Sequence, residues 1–376
     1  MKKTMLALVI CLIVLSFMLA CTPKTTPSPP KPATPVPATP PTSQSPTSQN
    51  ANWAKVVEAA KKEGKVTLYT FFFTASAQTA VIPFERKYPE IKVEFVPAAS
   101  AVRLERLKTE QRMKNYIADT SDGSSAFQMN LKKEDLLQPV GDLPSLSEPL
   151  WSANPKVDSE GYIIMLMPNY LTFWANTTLV KSGEEPKSLK DLLDPKWKGK
   201  IIQVEPATSN MAPWMYSGYT RYNRADDEFF RKMGPQFKFV TGSTLDAGRA
   251  LARGDAPLGW GSISSNNPLI KDGAPIKPLV LEEGALLTSS GALSIVKNAP
   301  HPNAARFLYN WLLSKEGQTA IAENQGLKSA RRDVPDMSPP AARVEWKNTI
   351  ALNEADTSYV EEVFSSRKLV DMWGRK

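Results

Sequence analysis

Lys65-Val66-Thr67-Leu68-Tyr69-Thr70-Phe71-Phe72-Phe73 is a nearly continuous apolar run, the pattern of a strand covered on both faces. A loop, Thr74-Ala75-Ser76-Ala77-Gln78, leads to a helix that ends near Tyr88, and residues 91–96 form a second strand. Ahead of the run, Asn52 is placed to cap a helix. Its apolar residues Trp53, Val56, Val57 and Ala60 recur at helical spacing, and Gly64 stops it. Strand, helix and strand in this order require a crossover, and so a parallel sheet. Pro83 breaks a helix that starts right after Ser76, so a later start or a kink is expected there.

The alternation continues outward. Residues 101–116 read as an amphipathic helix, 117–125 as a loop or weak strand, and 131–137 as a short helix. Residues 162–175 are a long apolar stretch broken by Pro168. A helix over 189–193 stops at Asp194-Pro195, a strand covers 201–204, a helix 244–252 and a strand 258–260. Pro302 opens a helix with Ala304, Phe307, Leu308, Trp311 and Leu312 on one face; Ser314 caps the next helix and Gly326 closes it. Trp346, Val360, Phe364 and Leu369 suggest packed helices over 334–376, expected to clad the first lobe. So many alternating elements exceed one ordinary core, and two α/β lobes are expected.

The chain opens differently. Lys2 and Lys3 precede an apolar run over 5–19 and then Ala20, which reads as a secretory signal over residues 1–20. The run is short for a membrane-spanning helix, and no stop-transfer charges follow it. Cys11 and Cys21 are the two cysteines, so loss of the signal leaves Cys21 alone, with no intrachain disulfide and no zinc cluster. Residues 22–50 hold 10 of the 32 prolines and are expected to form an extended linker. Lys2, Lys3, Lys24 and Lys31 account for half of the net charge of +8, which leaves +4 on residues 51–376 and no case for nucleic acid. Arg103, Arg106, Lys108, Arg112 and Lys114 are mixed with Glu105 and Glu110 and read as a solvated helix face.

Small polar loops recur at the ends of the predicted strands: Thr74/Ser76/Gln78, Ser121/Ser124/Ser125, Thr208/Ser209/Asn210, Ser262/Ser264/Ser265 and Thr288/Ser289/Ser290. Each alone is compatible with turn and capping chemistry; their recurrence at matching topological points favours ligand binding. Trp214, Tyr216 and Tyr219 either stack on a ring or fill the core, and Trp174 and Trp260 either line a cleft or do the same. Catalytic signals are weak. The single histidine, His301, lies between two prolines and reads as structural. Ser294-Ile295-Val296-Lys297 matches Ser-x-x-Lys on a predicted strand rather than at a helix start. Asp119 and Asp122 beside Gly123 lack the downstream acid of a calcium loop. A membrane-tethered hydrolase and a surface adhesion module are the alternative classes.

Several stretches, taken in order, resemble bacterial extracellular solute-binding proteins of ABC importers, in the branch of the ferric-iron, thiamine and phosphonate receptors. They are Trp53 to Lys65 with the strand after it, Asn176-Thr177-Thr178-Leu179-Val180, Pro186-Lys187-Ser188-Leu189-Lys190-Asp191-Leu192-Leu193-Asp194-Pro195-Lys196-Trp197-Lys198-Gly199-Lys200, Gly273-Ala274-Pro275-Ile276, Ala299-Pro300-His301-Pro302-Asn303-Ala304-Ala305 and Leu312-Leu313-Ser314-Lys315-Glu316-Gly317-Gln318. Ser16-Phe17-Met18-Leu19-Ala20-Cys21 resembles a lipobox, with Met18 where leucine is usual, which implies acylation (palmitate) of Cys21. The resemblance implies a two-lobe, type II periplasmic-binding-protein-like α/β fold. Its crossings fall near 165–175 and 286–296, with lobe one over about 51–165 and 290–376 and lobe two over about 175–285. It implies a monomeric, lipid-anchored extracytoplasmic receptor without enzymatic activity, cofactor or metal, on the periplasmic side or the outer face of the cell membrane. Such a receptor closes on a small polar or anionic solute and passes it to a membrane ABC permease. The expected ligand-binding residues are Thr74, Ser76, Gln78, Ser124, Ser125, Trp174, Ser209, Asn210, Trp260, Ser262 and Ser264. Ferric receptors of this branch use an adjacent tyrosine pair late in lobe two. This chain has none and reads Ser262-Ile263-Ser264-Ser265 at that place, so direct iron binding is not expected.

Overall fold

In a computed structural model of the chain, the described residues are 46–73, 78–152 and 155–375. The expected signal, Cys21 and nearly all of the expected linker therefore lie outside them. Helix α1 (Pro46–Glu63) begins six residues before Asn52, so the last five residues assigned to the linker are helical. Residues 47–51 contain neither proline nor glycine to stop it, and a proline is tolerated in the first turn, where its missing N–H is not needed. Gly64 closes the helix at φ +73°.

Strand β1 (Lys65–Thr70) ends three residues before the apolar run does. A 3-10 turn (Thr79–Val81) and α2 (Ile82–Lys87) follow, with Pro83 in the first turn of α2, which resolves its awkward position by a later start. Then come β2 (Lys92–Pro97), α3 (Ser100–Met113) and β3 (Thr120–Gly123). Helix α4 (Ser125–Lys133) starts earlier than expected because Ser124 caps it, and Leu137–Gln138, expected to end a helix, is strand β4.

The chain goes on through β5 (Met167–Asn176), β6 (Ile201–Val204), α5 (Met211–Arg221), α6 (Asp227–Met233), β7 (Phe237–Val240), α7 (Thr244–Arg253) and β8 (Leu258–Ser262). Next are α8 (Ile263–Lys271), β9 (Ile276–Pro278), β10 (Leu286–Ser290), β11 (Ala292–Val296), α9 (Pro302–Leu312) and α10 (Lys315–Gln325). It ends with β12 (Ile350–Ala351), α11 (Glu354–Ser365) and α12 (Lys368–Met372).

Two mixed sheets result. The first has the order β2-β1-β3-β11-β4, with β1 parallel to β2 and β3 and antiparallel pairing at β11. The second runs β12-β10-β5-β8-β6-β7, and β9 also pairs with β5. The chain passes between them three times, twice through adjacent strands and a third time on the way to β12. Ile164 still pairs with Leu293 of the first sheet, whereas Met167 already pairs with Ser290 of the second. The return occurs at Gly291, whose φ is +68° and whose Cβ position lies 2.9 Å from Phe72 Cγ, so only glycine fits without displacement.

The C-terminal segment packs differently from expectation. Val360, Val363 and Leu369 are buried with Trp214 and Met215 of the second sheet's helices, and Trp373 lies against Phe237 at 5.0 Å. β12 pairs with β10, which covers an otherwise exposed sheet edge. Residues 350–375 thus clad the second sheet. They also reach the first: α11 packs against α4, where Lys132 lies 3.7 Å from Glu354.

Candidate functional site

In open sheets of this kind, ligands bind beyond the carboxyl ends of parallel strands, where loops and helix N-termini present free N–H groups. Here those ends are Thr70 and Gly123 in the first sheet and Val204 and Ser262 in the second. They meet at the junction of the sheets. Phe72, just beyond β1, lies against the crossover at Gly291. Ala126, in the first turn of α4, shares a buried cluster with Met211 and Ala212, in the first turn of α5.

At the first sheet the organising group is Asp122. It is fully buried; Oδ1 accepts from Phe71 N (2.7 Å) and Phe72 N (2.8 Å), and Oδ2 accepts from Thr70 Oγ1. Arg103, expected on a solvated face, is 1% exposed. It donates to Tyr69 O (3.2 Å) and to Asp122 O, and its guanidinium lies 4.4 Å from the centre of the Phe127 ring. Its position in the first turn of α3 points it under the sheet end, which spacing on one helix does not reveal. Burial pushes the Asp122 carboxyl upward, against the pull of Thr70, of the two backbone N–H groups and of Arg103. The outcome is a rigid turn that leaves Phe71 exposed at the rim.

At the second sheet Ser262 caps α8: its Oγ accepts from Ser265 N (3.2 Å) and lies 3.1 Å from Ser264 Oγ. Ser264 N donates to Asn169 Oδ1 at 3.2 Å. Ser209 Oγ accepts from Met211 N (3.3 Å). Asn210 precedes α5, and its side chain does not cap that helix but bonds to Glu361 of α11. Ser289 Oγ is buried without a partner among the described residues. Tyr170, beside Asn169, carries a stacked ring, that of Trp346, at 4.9 Å and 11°.

The expected binding residues divide as follows. Thr74 and Ser76 lie outside the described residues. Gln78 is half-buried and donates to Phe73 O at 3.2 Å, which closes its own loop. Ser124 caps α4 by accepting from Phe127 N, and Ser125 is buried beside it. Ser209, Asn210, Ser262 and Ser264 stand at the carboxyl ends of β6 and β8. Trp174 and Trp260 are core residues, 0% and 2% exposed, with Trp260 Nε1 donating to Met211 O and its ring against Phe173. Trp214, Tyr216 and Tyr219 are buried too, because α5 packs its apolar face on the sheet. Sequence reasoning missed Asn169, Tyr170 and Glu361, and expected on a packed helix Trp346, which lies in a stretch without regular structure. Trp346 and Glu361 are far along the chain from every polar loop, and no local signal points to them.

Other features belong to the scaffold. His301 N donates to Asp119 Oδ1 (2.6 Å) and its Nδ1 lies 3.0 Å from Oδ2, while Thr67 N also donates to Asp119. This ties α9 to β1 and β3. A hollow of about 390 Å³ lined by Glu105, Arg106, Thr109, Glu110, Met113, Asn115 and Ile117 is on the far part of α3, away from the strand ends. Among the described residues no group of three or more His, Cys, Asp or Glu is placed to hold a metal ion, and no helix is long and apolar enough to cross a membrane.

Comparison with known proteins matches this architecture. The family model described as bacterial extracellular solute-binding protein covers residues 79–352. A Salmonella typhimurium protein provisionally named 2-aminoethylphosphonate-binding periplasmic protein is 27% identical over 254 residues, 65% of this chain and 71% of its own length. Among solved structures, the periplasmic binding protein AfuA of Actinobacillus pleuropneumoniae, with fructose-6-phosphate bound, superposes with a TM-score of 0.67 at 23% identity, covering 83% of this chain and 99% of that one. Iron-bound HitA of Pseudomonas aeruginosa gives 0.68 at 20%, covering 81% and 99%. The shared fold is that of two-lobe periplasmic binding proteins. The matched family is one of binding proteins, and the tethered-hydrolase alternative finds no support in it.

Proposed function

Since the chain belongs to the bacterial extracellular solute-binding protein family, we propose that it is the lipid-anchored receptor of an ABC importer, closing on a small phosphonate or phosphate-bearing solute and handing it to a membrane permease without chemical turnover. Lobe one comprises about residues 51–165 and the return from 290, and lobe two about 175–285 with the C-terminal segment laid over it. Cys21 carries the lipid after loss of residues 1–20, and the proline-rich linker holds the receptor off the membrane. A second acyl chain makes such an anchor stable, at about 0.8 kcal/mol per buried methylene.

The observation that carries this reading is that α11 packs on both α4 and α5, whose N-termini both carry hydroxyl-bearing loops. Free N–H groups and hydroxyls attract an oxyanion and contribute no nucleophile–base pair. The Salmonella relative's name and the fructose-6-phosphate bound to AfuA support an anion of this class. The test is native mass spectrometry and solution scattering on mature protein carrying Cys21→Ser. One retained or added solute per chain, with a smaller radius of gyration when bound, is the expected result. Substrate turnover, or binding without closure, overturns it. The same variant should leave the membrane fraction.

A further inference from the structure

Two of the four acids of α11, Glu354 and Asp356, are ion-paired, Glu362 is exposed to water, and Glu361 is neither. Lys132 pairs with Asp158 (2.8 Å) and reaches Glu354 (3.7 Å), Arg221 binds Asp356 (2.5 Å), Lys368 binds Asp227 (3.2 Å), and Arg375 binds Glu205 (2.9 Å). Glu361 is half-buried, and the side-chain amide of Asn210 is its bonding partner. No lysine or arginine among the described residues pairs with it. Burial pushes its carboxyl upward from its ordinary value, with Asn210 pulling the other way.

Its place in the fold follows from two contacts. Glu354 at the start of α11 faces Lys132 in the last turn of α4, and α11 packs along both α4 and α5. The two helices therefore run antiparallel, and Glu361 comes level with the N-termini of α4 and α5. Asn210, the residue it bonds, immediately precedes α5. A carboxylate held at the solute junction and partly withdrawn from water costs free energy unless a cation reaches it.

We propose that Glu361 is a specificity-determining residue that binds a protonated amine on the solute, so that the cleft selects a small zwitterion whose anionic end lies on the hydroxyl and N–H donors of the loops. This rests on the receptor reading above. The paired probes are 2-aminoethylphosphonate and ethylphosphonate, which differ by the ammonium group, titrated calorimetrically into the mature chain and into Glu361→Gln. A charge-assisted hydrogen bond is expected to give the amine at least about a tenfold advantage in the wild type. Glu361→Gln should bring the two affinities within about twofold and leave ethylphosphonate binding nearly unchanged.

Equal affinities in the wild type overturn the inference. So does a preference that survives Glu361→Gln while the melting temperature falls, since Glu361 is then a counter-charge for the α5 N-terminus. If neither probe binds, the solute retained in native mass spectrometry decides. A retained solute without an amine overturns this inference and leaves the receptor reading standing; a chain that binds no solute overturns both.

Discussion

Asp122 lies in β3 near its carboxyl end and Glu361 lies on α11 beside Asn210, and the surroundings of the two carboxylates are opposite. Asp122 is fully buried and accepts three hydrogen bonds, with the Arg103 charge beside it. Glu361 is half-buried, with one amide partner and no cation. The first is spent on shape: it folds the chain end of β1 back and fixes the rim at Phe71. The second keeps bonding capacity. A rigid wall on one lobe and a less satisfied wall on the other suit a receptor whose affinity depends on what closure brings together.

The largest effect should come from breaking the satisfied side. Asp122→Ala leaves Thr70 Oγ1 and two backbone N–H groups without their acceptor and removes the charge beside the buried Arg103, and should cost about 3–5 kcal/mol in urea unfolding. A cost below about 1 kcal/mol shows that water replaces the carboxylate and that the wall is not rigid. Gly291→Ala places a side chain at φ +68° within 2.9 Å of Phe72 and should cost about 2 kcal/mol, part of it strain. Adding Phe72→Ala should recover the contact part and leave the backbone part. Trp346→Ala removes the stacked partner of Tyr170 and should cost about 1 kcal/mol from the ring pair, with a near-ultraviolet dichroism change.

The smallest effect is on pH dependence. The Glu361 carboxyl is raised in the folded state, so its contribution is fully present below its unfolded value and is lost as pH rises through the folded one. Without solute, the wild type should lose stability relative to Glu361→Gln over that window. Asp119 and Asp122 are also raised by burial and shift both proteins alike, so the difference between the two proteins is the quantity to measure. A constant difference across the window shows that Glu361 is as well solvated as a surface carboxylate.

Local signals suffice where local physics decides. Residues 201–204 form a strand as expected, Ser314 caps α10 through Gly317 N, and Gly326 closes it at φ +61°. A cap or a left-handed glycine acts within four residues, so its neighbours on the chain contain the information. The polar loops at strand ends were legible for the same reason. Arg103 is buried although its mixed-charge helix looks solvated from its own sequence, because burial depends on what covers it. Trp174 and Trp260 fill cores because β5 and β8 are central strands, which is a property of strand order.

By itself, the sequence determined the class of the protein. Alternating strands and helices, their caps and the ordered family segments imply a two-lobe α/β receptor, because periodicity and capping are short-range. Only the tertiary structure decided how the site is composed. The C-terminal segment lies over the second sheet, and residues as far apart in the chain as Tyr170 and Trp346 come into contact there. Such contacts depend on summed burial and sheet order, and no stretch of the chain encodes them alone.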